Sequence, residues 1–479
     1  MEIRVVQSWA RWLTASAAPA GCSAAPDSVE LLGAPDLRRP ELGKLWANLQ
    51  SDLQQAQQFL AEIESPVTVF GSARSPEGSE DFHLAEEVGK KAAEAGMDAM
   101  TGGHGGVMLG ASVGHRLTAD CLHATGSQNS PRTLAVCLGD LPREQKLNSS
   151  VGKAVRLREF LFRKTALYGK SRGVLALPGG YGTMDEFFEV WAQRSRDQHR
   201  GKLGVFCTPF WKPILNALWS AARRDRDLIG TQAWDRLAYQ DDPEAFLHGL
   251  PSQEQALAHR EPEQRVVDRM SEDITRTLQA LDRLPEAVTV LGGHRLRGDD
   301  RALESTRRLC RMLTAEGVPL RVGNPPAVAR AVLAGASDHD PRVEVQGFLL
   351  EGDRHLDAPG LRVHATQRDF VLHKELLTRS SKGLVFLPGG LGTLANLFGV
   401  LTQIQTGKRP PVPIVLLDRA FWTPIMEAIN STLLNDGRNY ISPEDLKLVT
   451  VITDDPAVAA RALRGEPMNL PGAGEELRP

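Results

Sequence analysis

The chain has 479 residues, enough for about two to four domains. Its 42% hydrophobic and 24% charged residues are the composition of a soluble globular protein. A net charge of −3 selects for neither nucleic acid nor an anionic membrane. Five scattered cysteines (Cys22, Cys121, Cys137, Cys207, Cys310) form no CxxC pair, which excludes a zinc ribbon and fits a reducing cytoplasm. No apolar run reaches the roughly 18 residues of a membrane helix.

Residues 1–40 are expected to be a flexible tail. Ala15 to Ala25 is rich in Ala and Ser and contains Cys22, but Arg11 interrupts the apolar core that a signal peptide requires, so the protein is expected in the cytoplasm. Leu45, Leu49, Leu53, Ala56, Leu60 and Ile63 then fall at helical spacing. The preferred reading is an amphipathic helix covering its own sheet; docking of two domains is the alternative. Val67-Thr68-Val69-Phe70 follows as a buried strand ending in Gly71-Ser72-Ala73-Arg74. Further on, Gly102-Gly103-His104-Gly105-Gly106 is a second glycine cluster. Val174-Leu175-Ala176-Leu177 leads straight into Pro178-Gly179-Gly180-Tyr181-Gly182-Thr183-Met184-Asp185-Glu186, and Leu203-Gly204-Val205-Phe206 reads as the next strand.

The same order then recurs. Val267, Met270, Ile274, Leu278 and Leu281 predict a leading helix, and Val288-Thr289-Val290-Leu291-Gly292-Gly293-His294-Arg295 a strand and loop. Leu384-Val385-Phe386-Leu387 runs into Pro388-Gly389-Gly390-Leu391-Gly392-Thr393-Leu394-Ala395-Asn396. Phe210-Trp211-Lys212-Pro213-Ile214 returns as Phe421-Trp422-Thr423-Pro424-Ile425. The offset is 221 residues at the first strand and 210 at the glycine motif, so the second copy is shorter by about a loop. Strands alternating with helical patterns imply α/β architecture: two tandem Rossmann-like domains, each a parallel sheet with helices on both faces. The expected boundaries are a domain at 41–250, a polar linker at 251–264, a second domain at 265–465 and a C-terminal tail at 466–479.

Glycine turns between strand and helix leave backbone N–H groups and a helix dipole available to an anion. Gly179, Gly180 and Gly182 allow close approach, and the Thr183 hydroxyl can donate to a phosphate oxygen. No Lys-Ser or Lys-Thr follows these glycines, which argues against a Walker A loop, and no GxGxxG follows the first strand. Nothing marks a lysine for a Schiff base, and no basic, aromatic-rich groove suggests single-stranded DNA.

The Pro178–Glu186 segment resembles the PGGxGTxxE signature of the LOG (Lonely Guy) family of nucleoside 5′-monophosphate phosphoribohydrolases. That family places an Arg-Lys pair on the preceding helix, and Arg163-Lys164 stands there, Arg163 lying 23 residues before Glu186. Phe70–Arg74 and Thr101–Met108 are similar to its two other ligand loops. The resemblance covers residues 65–225. The second copy, 286–465, looks like the same fold with an eroded site: His373 replaces the arginine beside Lys374, Asn396 replaces the glutamate, and the middle loop reads Gly323-Asn324-Pro325-Pro326. After the glycine motif many members carry Gln-Leu-Gly. Here the first copy has Arg194-Ser195-Arg196, and the second has Gln405-Thr406-Gly407, closer to the pattern.

The resemblance implies cleavage of an N-glycosidic bond in the first domain, with Arg163 and Glu186 catalytic. It implies a nucleotide-binding set of Gly71, Ser72, Arg74, Gly102, Gly103, Gly105, Gly106, Lys164, Gly179, Gly180, Gly182 and Thr183. In the second copy Gly389, Gly390, Gly392 and Thr393 would retain phosphate binding without hydrolysis. A carboxylate can stabilise the developing sugar cation and an arginine can clamp anionic charge; the plainer roles are a helix N-terminal charge for Glu186 and a surface salt bridge for Arg163. His104 is a base contact or a polar loop filler. Asp185 and Glu189 are expected as solvated or structural neighbours. No metal or cofactor is implied. The expected partner is a nucleoside monophosphate, with no nucleic acid and no membrane, and the two halves are expected to form an intrachain pseudo-dimer within a possible homo-oligomer. A nucleotide or alarmone sensor without turnover is the competing reading.

Overall fold

The computed structural model describes residues 35–125, 130–141, 146–239, 241–257, 263–434 and 439–467. Most of both tails, including Cys22, and part of the 251–264 stretch lie outside the described residues; within that stretch Gln253–Leu257 is helical. No described helix is long and apolar enough to cross a membrane.

Each half is a seven-stranded sheet, and every recorded strand pairing is parallel. The first contains β1 (Val67–Phe70), β2 (Ala99–Thr101), β3 (Thr133–Leu138), β4 (Lys153–Leu157), β5 (Gly173–Ala176), β6 (Lys202–Val205) and β7 (Leu237–Tyr239), in the order β4-β3-β2-β1-β5-β6-β7. The second contains β8 (Ala287–Leu291), β9 (Leu320–Val322), β10 (Val345–Leu350), β11 (Leu361–Gln367), β12 (Ser381–Phe386), β13 (Ile414–Leu417) and β14 (Val451–Thr453), in the equivalent order β11-β10-β9-β8-β12-β13-β14. The strands at the centre of each sheet are buried on both faces, which is why they read as near-continuous apolar runs. The order of strands across the first sheet switches direction between β1 and β5, and the loops after such a switch point form a crevice at the strands' carboxyl ends. Those loops are tied together by Ser72 N–H donating to the Pro178 carbonyl at 2.9 Å; Gly293 N–H to Pro388 at 3.0 Å repeats the tie in the second half.

Period-two alternation in the first sheet divides its core. Val67, Val69, Leu175 and Leu177 pack with Phe206 and Phe246 in a small cluster on one face. Phe70, Val174 and Ala176 face the other way, into an apolar core continuous with the second half. The main contact between halves is the helix Tyr181–Ser195 against its repeat Leu391–Gln405. Phe398 lies 5.4 Å from Phe188 in a stacked arrangement and 5.8 Å from Tyr181.

The leading helices correct the preferred sequence reading. Pro40–Ala61 and Glu263–Arg283 do not merely cover their own sheets but pack on each other. Trp46 Nε1 donates to Thr275 Oγ1 at 2.9 Å, and Ser271 Oγ donates to Gln50 Oε1 at 3.0 Å. A single-chain hydrophobic pattern records that a stripe is buried and not which surface buries it.

Candidate active site

The first crevice is a cleft of about 630 Å³. Its floor is the helix Tyr181–Ser195, whose N-terminal turn follows the glycine loop directly, with Gly180 at the cap in extended conformation. Gly182 and Thr183 therefore sit where the helix has unpaired N–H groups. Arg163 comes from the helix Phe160–Tyr168. Its Nη1 donates to Glu186 Oε1 at 2.7 Å, and both side chains are about nine-tenths buried. Burial raises the Glu186 pKa above its ordinary value, and the Arg163 charge only partly opposes this. Arg163 Nε has no partner among the described residues.

Glycines at this site have separate physical reasons. A Cβ on Gly102 would stand 2.7 Å from Arg163 Nη2, so its absence makes room for the guanidinium. Gly106, with φ +64°, leaves space for the Ser72 carbonyl 2.2 Å from its would-be Cβ. A Cβ on Gly180 would meet the carbonyl of Tyr440, in the second half, at 2.6 Å.

The structure thus brings Gly71, Ser72, Arg74, Arg163, Gly180, Gly182, Thr183 and Glu186 to one cleft. Gly102, Gly103, Gly105, Gly106 and Gly179 shape the loops behind its lining. Lys164 is a correction to the expected binding set. Its side chain is fully buried away from the cleft, with Nζ 3.0 Å from Asp185 Oδ1 and 2.9 Å from Glu189 Oε2. Burial opposes its charge, but these carboxylates and Glu375 outweigh burial and raise its pKa. Successive helix positions explain the difference: Arg163 and Lys164 point about 100° apart, so only one can face the cleft. Of the two roles expected for Asp185 and Glu189, the structural one holds: both are buried, and Tyr168 Oη also donates to Glu189, at 2.5 Å.

His104 lines the cleft at 5% exposure with neither ring nitrogen in a hydrogen bond. Burial, then the Arg163 charge, push its pKa down to about 4 against the nearby Lys146 backbone, so the ring is neutral at ordinary pH.

The second half completes this cleft. Thr402, Gln405, Thr406, Gly407 and Tyr440 line it. The Tyr440 hydroxyl reaches Asp81 Oδ2 of the first half at 2.5 Å, and Gln405 Nε2 donates to Asp445 Oδ2 at 2.7 Å. The reciprocal exchange also occurs. Ser195, Arg196, Leu228 and Ile229 of the first half line a cleft of about 240 Å³ in the second, together with Gly390, Gly392, Thr393 and the substituted residues His373 and Asn396. The departures from the Gln-Leu-Gly pattern follow from this crossing, because each segment serves the opposite cleft. Their only sequence signal was that the closer match sat in the copy lacking Arg and Glu.

Residues 118–250 and 328–463, more than half of the chain, match a family model described as "Possible lysine decarboxylase". The chain belongs to this family, the LOG family. It is similar to the cytokinin riboside 5′-monophosphate phosphoribohydrolase LOG of Oryza sativa subsp. japonica, 34% identical over 149 residues, which are 30% of this chain and 56% of that protein. Two probable cytokinin riboside 5′-monophosphate phosphoribohydrolases of the same organism are also similar. LOGL2 is 33% identical over 28% of this chain and 50% of its own length, and LOG4 is 29% identical over 26% and 52%. The chain spans about half the length of the curated relatives it matches.

Proposed function

We propose that the first cleft hydrolyses the N-glycosidic bond of a nucleoside 5′-monophosphate, giving free base and ribose 5-phosphate. The observation that carries this reading is the Arg163–Glu186 pair, 2.7 Å apart on the cleft floor, one turn from the phosphate-loop N–H groups. In this reading the phosphate rests on Gly182, Thr183 and the helix N-terminus. The ribose then lies beside Glu186. As the C1′–N bond breaks, its electron pair leaves with the base and positive charge develops on the sugar, where the Glu186 carboxylate stabilises it. Water adds its oxygen to C1′, and its proton passes by way of Glu186 to the departing base. Arg163 favours the ionised form of Glu186 against the burial that raises its pKa, and its free Nε is available to ligand. Domain boundaries at 41–250 and 265–465 are part of this proposal, with the second domain a non-hydrolytic partner.

A lysine Schiff base is not supported. Among the described residues no lysine lines the first cleft, and Lys164 and Lys374 are committed to buried carboxylates.

The test is a panel of ribo- and deoxyribonucleoside 5′-monophosphates assayed for free base and ribose 5-phosphate, with Glu186→Gln alongside. Base release that falls by about 10²-fold or more in the variant supports the assignment. No release from any monophosphate, with nucleotide binding intact, overturns it in favour of a sensor.

A further inference from the structure

The second cleft has exchanged the Arg163–Glu186 pair for His373 and Asn396, and the hydrogen bonds around them fix what each presents. Gln367 Nε2 donates to Thr277 Oγ1 at 2.9 Å, so its Oε1 is the atom that faces His373 Nδ1, also at 2.9 Å. His373 Nδ1 therefore carries the proton, and Nε2 is a bare lone pair. The ring is 8% exposed, lines the cleft near Gly323, and has no other partner among the described residues. Burial drives its pKa down to about 3, the Asp353 charge opposing, so it stays neutral. Asn396 spends its Nδ2 on the Gly392 carbonyl at 3.0 Å, and its Oδ1 is buried with no partner. Across the cleft, Arg196 from the first half bonds Asp353 Oδ1 at 2.5 Å while its buried Nε has no partner.

One buried orphaned acceptor (Asn396 Oδ1), the open Nε2 lone pair of His373, one buried orphaned guanidinium N–H (Arg196 Nε) and an intact glycine loop on a helix N-terminus thus line one small cavity. Buried polar groups left without partners cost free energy unless a ligand or water satisfies them. The acceptors call for hydroxyl donors, and the guanidinium and loop call for an anion. The second cleft is the smaller of the two, about 240 Å³ against about 630 Å³ in the first, which suits a sugar phosphate better than a whole nucleotide.

We infer that the second cleft is a binding site for a pentose 5-phosphate, its phosphate on Gly390–Thr393 and its ring hydroxyls donating to His373 Nε2 and Asn396 Oδ1. The inference rests on the second cleft's own residues and stands or falls apart from hydrolysis in the first. No carboxylate occupies the position of Glu186, so the ligand is held and not cleaved. Arg196 ends the helix on which Glu186 begins, so an occupant of the second cleft touches the element that carries the first cleft's carboxylate.

The experiment is calorimetric titration of the full chain with ribose 5-phosphate, adenosine 5′-monophosphate and inorganic phosphate. Arg163→Met marks the first cleft; Asn396→Leu and the near-isosteric Thr393→Val mark the second, the latter guarding against a folding defect. Expected is a ribose 5-phosphate component that survives Arg163→Met and weakens about tenfold in Asn396→Leu and about three- to tenfold in Thr393→Val. Absence of any component surviving Arg163→Met overturns the inference, as does one indifferent to both second-cleft variants. Tighter binding of adenosine 5′-monophosphate to that component would assign the site to whole nucleotides, and equal binding of inorganic phosphate would make it an anion site only; either result rejects the pentose assignment. Base release, assayed separately, reports on the first cleft alone.

Discussion

Lys374 of the second half bonds Asp185 of the first half, Nζ to Oδ1, at 3.3 Å, and the same ammonium bonds Glu189. At the positions equivalent to those carboxylates its own half has Ala395 and Gly399. One half has lost its anions and kept its cation, and the other half's anions neutralise both lysines. Asp185 adjoins Glu186, so this cross-half cluster anchors the helix on which the proposed chemistry depends.

Lys374→Met is expected to destabilise the protein by about 3–5 kcal/mol, the usual consequence of removing one partner from a buried ion cluster. Urea unfolding measures it. A change below about 1 kcal/mol would mean that Lys164 alone satisfies both carboxylates.

Gly399→Ala separates two opposing effects. Helix propensity alone favours alanine by about 1 kcal/mol. A Cβ there would lie 3.1 Å from Asp185 Oδ1 and 3.2 Å from Lys374 Nζ, atoms held by ionic partners on several sides. Overpacking of a site that cannot yield costs about 1–3 kcal/mol, so net destabilisation is expected, visible as a lower urea midpoint. A stabilised variant would show that the cluster relaxes.

Base release should have an acid limb set by Glu186. Burial raises its pKa, so the carboxylate takes up a proton at a pH above that of an exposed glutamate, and kcat falls as pH drops through that value. Arg163 favours the charged form. In Arg163→Met the limb should therefore move further alkaline, alongside a lower plateau. A limb that stays in place would mean that another group limits the rate.

Acid stability should report Glu189. Burial disfavours its charge, but Lys164, Lys374 and Tyr168 outweigh burial and hold its pKa at about 2, against an ordinary 4.5. A depressed carboxylate pKa gives stability that is complete above the unfolded value and is lost as pH falls from about 4.5 to about 2. Stability measured against pH across that window should slope less steeply in Glu189→Gln. Parallel curves for the two proteins would remove Glu189 as the titrating group.

Much of this molecule was legible in the chain. Apolar runs such as Val67–Phe70 and Leu384–Phe386, each followed by glycine, announced parallel strands because a strand buried on both faces admits little else. The resemblance to the LOG signature implied that Arg163 and Glu186 share one crevice, and the two side chains do meet there. Lys164 was misassigned for a reason internal to the helix. Adjacent residues share a sequence neighbourhood and not a face.

By itself the sequence determined the local geometry: two βα repeats, their glycine loops, and which copy retains a carboxylate. These follow from short-range sterics, periodicity and residue chemistry. Only the tertiary structure decided that Gln405–Gly407 and Tyr440 wall the first cleft while Arg196 enters the second, that the leading helices pack on each other, and that Lys374 is neutralised across the interface. Such pairings join residues as far apart as Asp81 and Tyr440. They are selected by burial of complementary surfaces, which no local pattern encodes.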